Sequence, residues 1–150
     1  SLSGIPIDQA IAVTGSMNQM GEVQPIGGVN EKIEGFFEVC KAKGLTGRQG
    51  VIIPKRNVRN LMLKSEVVEA VEAGRFAVYP IERVDEGFEI LSGKPIGERD
   101  ADGRYPEGTV NYLVEKRLLT LARSLKDFCK APDKKKGDSV VKAKAEETKQ

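Results

Sequence analysis

The sequence predicts a mixed α+β fold built from short apolar strands interleaved with amphipathic helices. Three observations carry this. The apolar runs Ala10–Met17, Gly50–Pro54 and Phe76–Pro80 have the length and the Gly/Pro boundaries of buried strands. Between them, Ile33, Phe36, Phe37 and Cys40 recur at i, i+3, i+4 and i+7, the period of one helix face. Composition is that of an ordinary globular chain, 39% hydrophobic and 31% charged over 150 residues, enough for one domain with a core.

Taken in order, Ser1–Pro6 reads as a helix end turning into a strand, and with no initiator Met the chain reads as the continuation of something longer. Ala10–Met17 is expected to be one buried strand. Asn18–Gly21 is turn chemistry, and Glu22–Gln24 returns as an antiparallel partner, stopped by Pro25 and Gly27-Gly28. A helix is expected from Asn30 to about Lys43, with Val29 and Val39 widening its apolar face and Gly44 as its terminator. Gly50–Pro54 is a strand, and Asn57–Met62 a short helical segment. Ser65 is a candidate cap for a helix through Val71 that Gly74 ends. Phe76–Pro80 is a third apolar strand. Val84–Leu91 is a helix with Val84, Phe88 and Leu91 on one face, ended by Gly93.

The character changes after that. Residues 94–108 are broken by Pro95, Gly97, Gly103, Pro106 and Gly108, as in a linker or surface loop. Thr109 then caps a helix over 109–130 whose apolar face of Val110, Leu113, Val114, Leu118, Leu121, Leu125 and Phe128 requires a cover. Residues 131–150 hold little to bury, and the reading there is a disordered, Lys-rich tail.

Composition excludes several functions. There is no His, so Ser-His and Cys-His pairs and His-based metal sites are all absent, and a general base has to be Asp, Glu, Lys, Tyr or Cys. Cys40 and Cys129 have no metal-ligand spacing. With 5% aromatics, no Trp and a net charge of +2, nothing points to nucleic acid. No apolar run approaches the ~20 residues of a membrane span, and a reducing cytoplasm is the simplest compartment. Neither phosphate-loop pattern is present around Gly27-Gly28, so the pair reads as a tight turn. Asp100 and Asp102 lack the rest of a calcium loop. Glu22, Glu31 and Glu34 read as solvated surface.

The chemistry concentrates on Lys32. A lysine at a helix N-terminus faces the positive end of the peptide dipoles, roughly +0.5 charge. Its stem lies along the edge of a buried stripe, and the Pro-x-Gly-Gly turn brings backbone close. Dipole and desolvation both favour loss of the ammonium proton, as a general-base lysine requires. Thr14 stands among Ala, Ile and Val, where its hydroxyl needs a partner: a backbone carbonyl, or an amine such as that of Lys32.

Val13-Thr14-Gly15-Ser16, the stretch Gly21-Glu22-Val23-Gln24-Pro25-Ile26-Gly27-Gly28-Val29-Asn30-Glu31-Lys32-Ile33-Glu34, and Ile52-Ile53-Pro54 with Asn57 together resemble the proteolytic domain of Lon proteases, nearest the B-type branch. The resemblance spans residues 1–93 and stops at Lys94. It implies a Lon-type peptidase domain, ribosomal protein S5 domain 2-like and N-terminally truncated, from an ATP-dependent serine endopeptidase with a Ser-Lys dyad. It matches Lys32 to the dyad lysine and Thr14 to the threonine that orients it. The nucleophilic serine of the family lies in a Gly-Pro-Ser-Ala-Gly-like motif that would precede residue 1, and Ser1, Ser3 and Ser16 lack that context. The same resemblance implies protein substrates, a hexameric ring, and ATP with Mg on an AAA+ module outside this chain, leaving the chain inactive by itself. The alternative is a non-catalytic Lon-like assembly or DNA-repair module of the RadA-like kind, which lacks the dyad lysine.

Overall fold

The computed structural model describes residues 1–129. Its centre is β-strand Gly50–Pro54, flanked on both sides by parallel neighbours and buried along its whole length. Numbered along the chain, the strands are β1 (Ile11–Val13), β2 (Ser16–Met17), β3 (Val23–Gln24), β4 (Gly50–Pro54) and β5 (Ala77–Ile81). The helices are α1 (Val29–Lys43), α2 (Ser65–Glu72), α3 (Val84–Ser92) and α4 (Val110–Cys129). The parallel sheet has the order β1-β4-β5, with Ile52 opposite Val13 on one side and Tyr79 on the other. Parallel neighbours need long crossovers. The one from β1 to β4 carries the β2–β3 hairpin and α1, and the one from β4 to β5 carries α2. Pro80 fits because β5 is an edge strand, where a missing N–H costs no ladder bond.

A strand buried on both faces reads as an unbroken apolar run, and Val51-Ile52-Ile53 does. The core forms where α1 lies on it. Ile33 and Phe37 from α1 meet Val51 and Ile53 of β4, Val67 and Ala70 of α2, and Phe76, whose ring stands edge-on to Phe37 at 5.2 Å. Burying each such side chain stabilises the fold by roughly 1.5–3 kcal/mol. Gly50 is required by contact: a Cβ there would stand 2.7 Å from the Tyr79 ring and 2.8 Å from the Ala77 carbonyl.

Several expectations are corrected. The run Ala10–Met17 is not one buried strand. It splits at Thr14–Gly15 into β1 and β2, with Val13 and Met17 exposed, because β2 turns away to pair antiparallel with β3. Helix α1 starts one residue earlier than its pattern suggested, at Val29, and Val39 is exposed on its far side. Ser65 is the first residue of α2 and caps nothing; Lys64 holds the cap position with no side-chain bond. The helical segment after β4 is a 3-10 stretch, Lys55–Asn60, and the helical end expected at Ser1 is a single turn closed by Gly4 N–H on the Ser1 carbonyl. Phe88 of α3 is exposed despite its apolar face.

Residues 94–108 are tied to the helices on either side: the Pro95 and Ile96 carbonyls accept the Val110 and Asn111 N–H groups of α4, and the Ile96 N–H donates to the Glu89 carboxylate of α3. Thr109 Oγ1 accepts the Tyr112 N–H at 3.4 Å, which is the expected cap of α4. Lys130, the last residue of that helix as read from sequence, and the tail 131–150 lie outside the described residues.

Candidate active site

Lys32 reaches its position through a turn that is held from behind. Gly28 precedes α1 at φ 67°, the left-handed region that only glycine enters at little cost. Its carbonyl accepts the Lys32 N–H at 3.2 Å, the bond that closes the first turn of α1. Two residues upstream, Ile26 is gripped by one side chain. Asn57 Oδ1 accepts the Ile26 N–H at 3.0 Å, and Asn57 Nδ2 donates to the Ile26 carbonyl at 2.9 Å. A carboxamide is the side-chain group that can mimic a peptide partner, offering donor and acceptor side by side. Asn57 is 4% exposed, so both bonds are shielded from water. A second asparagine completes the brace: Asn30 Nδ2 donates to the Asn60 carbonyl at 3.1 Å, and Asn30 Oδ1 accepts the Met62 N–H at 3.0 Å. The 3-10 stretch after β4 therefore fixes both the turn and the start of α1.

The Lys32 ammonium is exposed and donates to the Gly27 carbonyl at 3.3 Å. The side chain thus folds back over the glycine turn that precedes its helix. Desolvation by this chain, expected from the edge of the apolar stripe, is not what the geometry provides. Thr14 lies in the bend between β1 and β2, half-buried, its N–H donating to the Ile52 carbonyl at 3.0 Å. A half-exposed hydroxyl has access to water and needs no protein partner. No hydrogen bond joins Thr14 to Lys32 among the described residues. Thr14 instead lines a cleft of about 250 Å³ with Met17, Val23, Ile81, Phe88 and Leu91. The hairpin that forms one wall is tied to the other by Val23 N–H on the Glu82 carbonyl, 2.7 Å, and Val84 N–H on the Gly21 carbonyl, 2.9 Å.

Of the remaining candidates, Glu22, Glu34 and Asp100 have structural partners. Glu34 accepts the Lys64 N–H at 3.0 Å and Glu22 accepts from Asn18 at 2.7 Å. The Asp100 carboxylate accepts the N–H groups of Asp102 and Arg104, closing its own loop. Cys40 is buried in the core, and that burial pushes its thiol up, against a smaller opposing pull from Lys43, so it is no nucleophile. The hollow beside Lys55, Arg56 and Arg59, about 700 Å³, is open and built from long exposed side chains, and Lys55 is already paired with Glu82 at 2.9 Å.

A braced glycine turn that delivers a lysine, followed by Ile-Ile-Pro and a buried asparagine, matches a known family over residues 1–92: the Lon protease (S16) C-terminal proteolytic domain. The chain belongs to the Lon protease family. It is 52% identical over 91 residues to a Lon protease homolog of Escherichia coli (strain K12), 61% of this chain and 16% of that protein. It is 41% identical over 118 residues to a Lon protease homolog of Haemophilus influenzae, 79% of this chain and 20% of that protein. An archaeal Lon protease of Archaeoglobus fulgidus is 38% identical over 89 residues, 59% of this chain and 12% of that protein. The chain therefore spans a fifth or less of the length of these relatives. The Haemophilus match is longer than the family-model match, 118 residues against 92, so it runs past Ser92.

Asn57 is the residue whose role went unread in the sequence. The motif containing it was visible, but its partner Ile26 is 31 positions away. The signal was the residue type, a carboxamide three positions after the proline that ends a buried strand.

Proposed function

We propose that this chain is the lysine-bearing part of an ATP-dependent serine endopeptidase that degrades proteins through a Ser-Lys dyad. Lys32 is the general base. It takes the proton of a serine hydroxyl as that oxygen attacks a peptide carbonyl, then returns it to the departing amine, leaving an acyl-enzyme that water hydrolyses with the same amine as base. Thr14 orients the Lys32 amine. The serine comes from a Gly-Pro-Ser-Ala-Gly-like segment outside these 150 residues, so this chain has no hydrolytic activity alone.

The observation that carries this reading is the grip of Asn57 on Ile26, which sets the turn from which Lys32 emerges. A bland surface lysine has no use for a buried brace behind its turn. The ring of six subunits, the ATP and Mg on an AAA+ module, and the cytoplasmic location belong to the same proposal. Among the described residues no helix is long and apolar enough to cross a membrane. A non-catalytic Lon-like module of the RadA-like kind would lack the dyad lysine, and Lys32 argues against it.

Fluorophosphonate labelling of the whole protein, followed by peptide mapping, tests the reaction class. The expected label sits on a serine upstream of Ser1 in a Ser-Ala-Gly context. Labelling of Ser16, or an active peptidase that resists the reagent, would contradict it.

A further inference from the structure

Helix α4 is held firmly at its base and left bare along its outer half. The base is a clasp around Arg99, whose guanidinium stacks over the Tyr105 ring at 4.4 Å and pairs with Glu115 at 3.0 Å. Asn111 Nδ2 donates to the Gly97 carbonyl at 2.9 Å, and Val110 is buried. Beyond this, every residue from Lys116 to Cys129 is exposed. At 1.5 Å per residue, about 20 Å of helix stands clear of the body.

The outer half has two different sides. At about 100° per residue, Phe128, Leu121, Leu125, Leu118, Ala122 and Leu119 follow one another around half of its circumference. Arg117 borders this stripe beside Phe128, and Lys126 and Arg123 lie on either side of Leu119 at the opposite margin. Asp127, the one acidic residue between Lys116 and Cys129, falls about half a revolution from Leu118, on the far side. Cations therefore line both margins of the apolar face, and the acid is turned away from it. The whole end of the chain is cationic. Residues 116–150 carry 11 basic and 5 acidic side chains, net +6, against 13 and 17, net −4, in residues 1–115.

We propose that the outer half of α4 is a peripheral membrane-binding helix, and that its occupant is a bilayer surface carrying anionic headgroups. Charge complementarity selects that occupant. A helix lying in the interface plane sinks its apolar stripe to the acyl boundary, while lysines and arginines at its margins reach the headgroup phosphates. A second copy would set cationic margins against cationic margins, and like charges at close range oppose docking. The helix lies along the surface and does not cross it, since among the described residues none is long and apolar enough to span a membrane. One amphipathic stripe gives weak, reversible attachment, and the cationic residues that follow Cys129 in sequence add an electrostatic contribution. The inference uses no residue of the Lys32 turn, so it and the dyad fail separately.

Flotation of the whole protein with lipid vesicles tests it, with phosphatidylglycerol and phosphatidylcholine mixed about 1:2 compared against phosphatidylcholine alone. Binding is expected to be about tenfold or more tighter to the anionic vesicles at low salt, a difference that shrinks as salt is raised. Amide exchange in residues 116–129 is expected to slow only when anionic vesicles are present. L121S/L125S and R117Q/R123Q/K126Q are each expected to weaken binding about tenfold or more, while T120Q, on the polar side, leaves it within about twofold. Unchanged exchange of the Val51–Ile53 amides verifies that the body stays folded. Failure to float with anionic vesicles, equal binding to both vesicle types, or binding indifferent to L121S/L125S would overturn the proposal. So would exchange in residues 116–129 that is already slow without lipid, because a protein surface would then be covering the stripe.

Discussion

The carboxamide of Asn57 holds both main-chain polar groups of Ile26, accepting its N–H at 3.0 Å and donating to its carbonyl at 2.9 Å. This pair couples the end of β4 to the turn that launches α1, across 31 residues of sequence. Truncating one partner of a buried bond leaves the other unsatisfied, which costs about 1–3 kcal/mol per group. N57A is therefore expected to lower unfolding free energy by about 2–4 kcal/mol in denaturant titration. In the whole protein, a variant that still folds is expected to lose peptidase activity as the Lys32 turn loosens.

Gly28 and Gly50 are both intolerant of a side chain, for different reasons. At Gly28 an added Cβ meets nothing closer than Glu31 Oε2 at 3.6 Å, so the penalty of G28A is the left-handed backbone, about 1–2 kcal/mol. At Gly50 the Cβ collides with the Tyr79 ring and the Ala77 carbonyl, and the β4–β5 pairing has to open. G50A is expected to be the more destabilising in thermal unfolding. The reverse order would mean that the two strands are less closely fitted than they stand here.

The helix face of α1 was legible because Ile33, Phe37 and Cys40 are separated by single turns, and tertiary burial follows that period. The central strand was legible because a strand buried on both faces has no alternation to hide. What the run Ala10–Met17 could not reveal was its break. Apolar residues stand on both sides of Thr14–Gly15, Val13 before and Met17 after, and it is pairing with β3 that turns Ser16–Met17 off the sheet. Lys32 and Thr14 stand out as candidates through local chemistry and family pattern, and no hydrogen bond joins them among the described residues. The Asn57 brace depends on a contact between distant segments, which no window of sequence contains. For the same reason the exposure of Lys32 escaped notice: position on the helix was readable, cover was not.

Near the N-terminus, Asp8 accepts the Ala10 N–H and pairs with Arg48 at 3.0 Å. The Ala10 bond first, and Arg48 second, hold its carboxyl below the ordinary value. A carboxyl depressed in the folded state stabilises the fold above its unfolded pKa, and that stabilisation fades as pH falls through the folded value. The contribution is small because the group is open to solvent. Comparison of D8N with the parent in acid titration is expected to show the two stabilities converging as pH drops below the carboxylate range. A gap that stayed constant down to the lowest pH would contradict the assignment.

The two thiols are expected to differ sharply in reactivity. Cys129 is exposed, while Cys40 is buried with its thiol pushed up by that burial. Under native conditions Ellman's reagent should titrate one thiol promptly and the second only on unfolding, a contrast of at least a hundredfold in rate. Prompt modification of both would place α1 off its sheet.

Lys32 is proposed to act on a serine from outside this chain. ATP-dependent degradation of an unfolded protein substrate by the whole protein, compared with its K32A variant at equal folded concentration, tests it most directly. Loss of about a thousandfold or more in turnover, with intact assembly, is the predicted result. Undiminished cleavage by K32A would contradict the dyad.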